Sequence, residues 1–274
     1  YQNRLILRSE SGSVALTNTH LATADNNGDA DITAIFTENS GVLNVKSGKE
    51  LLIWSADTFT PGGEVNAGSG VDINGALGMG SNPLTLSGSF DAAGGTFGLT
   101  GTTLTLDGAS GAFRMIPSGG QFGAVAFEGG ATWTLSGNLT ANSLTIGPNA
   151  ALVTDGMDIT LRSGSLTSSG TLTTTGGTGG DSSLAIRGSF HTIGTMTAGK
   201  TSITLSGSFV NEGTFTTGTS KVTLDGANQT ISGSTTFYNL TKETAAGQPI
   251  LFFHQGDTYT ITNKVTLRGA GDTD

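Results

Sequence analysis

Few residues in this chain are of the kind that perform chemistry, and the sharpest grouping is "DNNGDAD", residues 25–31. Asp25, Asn27, Asp29 and Asp31 put an oxygen-bearing side chain at every second position around Gly28, the ligand type a hard cation such as Ca²⁺ takes. An EF-hand loop would place its glycine sixth and a bidentate Glu twelfth. Neither is present, so the same residues also fit an acidic Asx-rich turn. A second grouping is Asp155, Asp158 and Arg162 in "TDGMDITLR". Clustered carboxylates with a base on one face are what a polysaccharide-active enzyme needs. However, Asp155 precedes Gly156 and reads as a turn, and solvated surface charge accounts for all three. His20, His191 and His254 are isolated, without the H-x-x-x-H or H-x-x-E-H spacing of a zinc site. No serine stands in G-x-S-x-G and there is no cysteine. The expectation is a protein that is not an enzyme and holds no cofactor, with Ca²⁺ at residues 25–31 as the one metal the sequence allows.

Composition narrows the partners. Of 274 residues, 44 are Gly and 5 are Pro, and charged residues make up 12%, about half the usual share. The glycines do not fall at every third position, which excludes collagen. Net charge is −9, with no basic stripe along the chain, so nucleic-acid binding is not expected. No apolar run is long enough for a membrane span. The chain opens at Tyr1, which reads as a processed form or a segment of something longer.

Whatever chemistry exists must be carried by strands. A pattern of apolar, Thr or Ala, apolar, variable, Gly recurs as "LTLSG" at Leu84, "LTLDG" at Leu104, "WTLSG" at Trp133 and "LAIRG" at Leu184. It returns as "ITLSG" at Ile203, "VTLDG" at Val222 and "VTLRG" at Val265, with looser copies at Leu144 and Ile159. Period-two alternation means strands that bury one face and show Thr on the other. "GSFHTIGTMTAGKTSITLSG" from Gly188 aligns with "GSFVNEGTFTTGTSKVTLDG" from Gly207 at an offset of 19 residues. That period suits one coil of a β-solenoid made of three short strands. The predicted fold is therefore all-β, a parallel β-solenoid (β-helix) with coils of about 19–20 residues. About 13–14 such coils would give a rod roughly 60–70 Å long at the inter-strand spacing. Residues 1–60 read as an irregular β segment, 61–241 as the coils, and 242–274 as a terminal coil. Insertions such as "GGTGGD" are expected to bulge out as loops. The T-x-T pairs Thr171/Thr173, Thr195/Thr197 and Thr214/Thr216, spaced by 24 and 19 residues, are not expected to form a regular array.

The run "GSFVNEGTFTTGTSKVTLDGANQTISGSTTFYNLT" resembles Thr/Gly-rich tandem repeats of large secreted or cell-surface, adhesin-like bacterial proteins. The likeness covers residues 200–274 well and 80–200 in strand style. It implies a β-helical, extracellular structural or adhesive role and no enzyme activity. In such repeats a strand like "TYTIT…TLRG" is followed by one of the form L-x-L-R-S. Here that element stands at the other end, in "NRLILRSESGS", residues 3–13. The expected partner is thus a further copy of the chain, met head to tail, covalently or by strand addition. The junction would comprise Arg4, Leu5, Leu7 and Arg8 on one side and Val265, Leu267, Asp272 and Asp274 on the other, with a cap at neither end. Two further readings remain open: a single-molecule adhesin or carbohydrate-binding rod that meets a surface polysaccharide, and a polysaccharide-active β-helix enzyme.

Overall fold

A computed structural model of the chain describes residues 4–7, 14–16, 36–39, 42–45, 47–48, 50–55, 57–175, 181–244 and 249–269. Among these there is no helix. The chain forms short parallel strands wound into a β-solenoid of about ten turns. One coil shows how the sequence does this. Ser202–Leu205, Phe209–Asn211 and Thr214–Thr216 are the three predicted strands. Ile203, Leu205 and Phe209 are fully buried and Phe215 is nearly so, while Thr214 and Thr216 face water. Ile203 pairs with Leu184 on one side and Val222 on the other, which is the 19-residue step read from the alignment. The β-branched outward threonines suit the extended backbone.

The "SGSF" signature is a corner built by stacking. A Cβ on Gly207 would lie 2.5 Å from the carbonyl carbon of Gly188, so only glycine allows the coils to come this close. The following serines form a ladder: Ser189 N–H donates to Ser165 Oγ at 3.0 Å, Ser208 N–H to Ser189 Oγ at 3.0 Å, and Thr230 N–H to Ser208 Oγ at 3.1 Å. The phenylalanines then stack inside, Phe190 on Phe209 at 5.1 Å between ring centroids. Each residue of the motif thus satisfies one requirement of the corner: close approach, an acceptor for a buried N–H, and core volume.

Contacts divide the chain into two compact units, residues 1–133 and 134–274. In the first, the core includes Phe90, Phe97 and Phe122, whose centroids lie 4.7–5.3 Å apart. The strand Phe36–Asn39 runs antiparallel to Val42–Val45. Beside it Arg4–Leu7 stacks on Glu50–Ile53, and Val14–Leu16 on Thr58–Pro61. In the second unit six successive coil steps run from Leu139 through Ile159, Leu184, Ile203, Val222 and Leu240 to Val265 in the strand Tyr259–Arg268.

Three sequence expectations change. The coil step is not uniform: it runs from 18 residues (Val222 to Leu240) to 25 (Ile159 to Leu184) in the second unit and reaches 46 between Leu5 and Leu51, and the turns number about ten rather than 13–14. Leu104 does not step to Trp133 but to Val125 in "VAFEG", which has the same alternation with Ala in place of Thr. Trp133 belongs to a neighbouring face, where Thr132 N–H bonds Gly111 O at 2.9 Å. The T-x-T pairs, finally, do form a regular array. Thr171, Thr195 and Thr214 pair in one column, and Thr173, Thr197 and Thr216 in the next. The spacing of 24 is absorbed between strands, where "GGTGGD" begins outside the described residues, leaving the register intact.

Candidate functional site

The last described coil differs from every coil below it. Its strands are Ile250–Phe253 and Tyr259–Arg268. Register places Phe253 over Ile231, Ile261 over Phe237 and Val265 over Leu240. Those lower residues are fully buried. Phe253, Val265 and Leu267 sit at the same inward positions but are 48%, 52% and 66% exposed. Inward apolar side chains meet water here because no described strand lies above them. Ile250 and Phe252, at outward positions, add further exposed apolar surface. The result is an uncovered apolar cross-section, edged by strand backbone that pairs on one side only.

The turn between these two strands is pinned down. Asp257 Oδ2 accepts from Gly233 N–H at 2.7 Å and lies 3.0 Å from both Tyr259 Oη and His254 Nδ1. Tyr259 Oη also reaches Ile231 O at 2.9 Å; its single proton serves one acceptor at a time. The Gly233 N–H, aided by Tyr259 and His254, holds the Asp257 carboxyl below its usual value of 3.8. Burial, together with the Asp257 charge, pushes the Tyr259 phenol above 10.0.

A charged group lies at an inward strand position here. Lys242 is 3% exposed, stacked between Leu224 and Leu267. Its ammonium donates to Gln229 Oε1 at 2.6 Å and to the carbonyls of Gly226 and Leu224. Gln229 in turn donates to Leu205 O at 2.9 Å. Desolvation lowers the Lys242 pKa from 10.5, opposed by the charge of Asp225. The alternation "NLTKE" places Lys242 in phase with Leu240, which is the one sequence signal for this buried cation. Without the structure, nothing showed that Gln229 would meet it.

The predicted site residues fall as follows. Arg4, Leu5 and Leu7 lie in the strand Arg4–Leu7, where Leu5 pairs with Leu51 and Leu7 with Ile53. Val265 and Leu267 are in the exposed terminal strand. Asp25, Asn27, Asp29, Asp31, Arg8, Asp272 and Asp274 lie outside the described residues, as does His20. The trio Asp155, Asp158 and Arg162 is split by role. Asp155 occupies a turn with φ of 50°, and Asp158 spends a carboxylate oxygen on Ser183 N–H at 2.8 Å. Arg162 points outward beyond the strand Ile159–Leu161. His191 lies 3.2 Å from Glu212, and His254 joins the Asp257 turn. Among the described residues no three His, Cys, Asp or Glu side chains converge as a metal site, and no helix is long and apolar enough to cross a membrane.

The class that the fold defines is the parallel β-solenoid. Comparison with protein-family models, with curated proteins and with solved structures finds no match.

Proposed function

We propose that this chain is a structural, extracellular or cell-surface protein of bacterial type, a β-solenoid unit that extends head to tail into a fibre or stalk. The supporting observation is the terminal coil, where Phe253, Val265 and Leu267 hold core positions but stand open to water. An apolar cross-section bordered by half-paired strands favours a further coil, because stacking one would both bury the side chains and pair the backbone. At the other end Arg4–Leu7, Val14–Leu16 and Phe36–Asn39 are each paired on one side among the described residues. Arg4 and Arg8 oppose Asp272 and Asp274 in sign, although exposed pairs of this kind add only about 0–1 kcal/mol each. The polymer is a partner for itself and needs neither cofactor nor catalytic residues.

The test is a chain with both Val265→Asp and Leu267→Asp, compared with the unaltered chain by electron microscopy and sedimentation. The unaltered chain is expected to assemble into particles with a constant axial repeat. The altered chain is expected to keep its sheet circular dichroism but remain as single units. Fibres of the same repeat from the altered chain would remove the head-to-tail reading.

A further inference from the structure

Along the chain the bases look scattered, but the coil period brings most of those in the second unit onto one sheet face. Residues 134–274 contain seven bases and nine acids. Pairing aligns Thr160, Ala185, Thr204 and Thr223 in one outward column. Beside it, Arg187 N–H bonds Leu161 O, Ser206 N–H bonds Ile186 O and Asp225 N–H bonds Leu205 O. A second column therefore climbs Arg162, Arg187, Ser206, Asp225, in steps of about 4.8 Å. Higher on the same face, Lys221 pairs in column with Asn239 and Lys264, and Glu243 with Arg268. Five of the seven bases thus share this face, and all five are exposed. Among the described residues the acids on this face are Asp158, Asp225 and Glu243. Lys200 and Lys242 are the two bases elsewhere.

The lower half of the face is concave. A groove of about 750 Å³ is lined by Thr160, Arg162, Ala185, Arg187, Thr204 and Ser206, with Asp225 at its upper end. Ala185 interrupts the threonine column and supplies the floor. Asp225 is held by Ser206 Oγ at 2.8 Å, which leaves its other oxygen to accept from a ligand. We propose that this face binds an acidic polysaccharide, with Arg162 and Arg187 gripping a sugar carboxylate and Thr204, Ser206 and Asp225 taking sugar hydroxyls. A guanidinium presents parallel N–H groups that match a carboxylate. A nucleic acid fits less well. Among the described residues no aromatic side chain on this face offers a base a surface to stack on. The proposal is independent of end-to-end assembly, since every residue it uses lies on the side of the coils.

The full chain would be applied to immobilised polygalacturonate at low salt, with dextran and single-stranded DNA as comparison matrices. Retention on polygalacturonate, release at about 1 M salt and passage through dextran are expected. Arg162→Gln with Arg187→Gln should weaken retention about tenfold or more, while Lys200→Gln, off this face, should leave it unchanged. Circular dichroism of each variant confirms the fold. Equal retention of the double variant, equal binding to dextran, or tighter capture by DNA than by polygalacturonate would each overturn the proposal. Fibre formation by the double variant should be normal, which separates this reading from the one above.

Discussion

Phe209→Ala is the most direct probe of how the second unit holds together. Phe209 is fully buried and touches three rings: Phe190 at 5.1 Å, Phe237 at 5.1 Å and Phe215 at 5.3 Å. Truncating a buried Phe to Ala costs about 3–5 kcal/mol from lost transfer energy and the cavity left behind. Each ring pair adds about 0.5–1.5 kcal/mol, and neighbours above and below are locked in register and have little freedom to collapse. The upper part of the range, about 4–5 kcal/mol, is therefore expected. Thr216→Ala removes an exposed side chain from the same coil and should cost well under about 1 kcal/mol. The assay is a denaturant melt of the full chain followed by sheet circular dichroism, with Phe209→Leu as a third variant that refills most of the cavity. Coupling between adjacent coils should make the Phe209→Ala loss visible across the whole second unit. Equal midpoints for Phe209→Ala and Thr216→Ala would refute the inside-outside assignment on which the coil model rests.

Three further expectations follow from the geometry. Gly213→Ala places a Cβ 2.1 Å from Gly194 O, which the backbone must yield to avoid; a loss of about 1–3 kcal/mol is expected, and a neutral result in the same melt would show that the corner is looser than drawn. Asp257 is more acidic folded than unfolded, so its stabilisation is present above about pH 3.8 and fades as pH falls through the folded value; Asp257→Asn should flatten that part of an acid titration of stability, and an unaltered acid limb would exclude the role. EDTA should leave the sheet signal and any assembled length unchanged, and dissolution by EDTA would replace the Asx-turn reading of residues 25–31 with a structural Ca²⁺ site.

Much of the fold was legible because the coil repeats one bargain three times per turn. Apolar side chains alternate with Thr, and a glycine stands where backbones meet, so "SITL", "SFV" and "TFT" announce their own strands. Legibility failed where alternation survived but its usual letters did not: "VAFEG" carries Ala and Glu in place of Thr and Ser, and the louder "WTLSG" drew the register to the wrong face. Lys242 was hidden for a related reason, since a charged residue in an inward phase reads as surface until Gln229 and two carbonyls are seen around it. The basic face was invisible because its members, Arg162, Arg187, Lys221, Lys264 and Arg268, are 25, 34, 43 and 4 residues apart. Only the differing coil lengths bring such spacings onto one sheet face.

The glycine column at the short corner has an evolutionary corollary. Gly170, Gly194 and Gly213 approach so closely that a Cβ on Gly194 would sit 2.0 Å from Gly170 O, and one on Gly213 2.1 Å from Gly194 O. No member of the column can gain a side chain unless its neighbours move, so drift at this position is blocked in all three turns at once. The outward columns carry no such interlock: one position holds Arg187, Ser206 and Asp225 in three successive turns on an unchanged backbone. Duplicated turns are therefore free to diversify in surface charge while remaining interchangeable as building units, and a gene that gains or loses a turn alters what the surface displays without renegotiating how the chain folds.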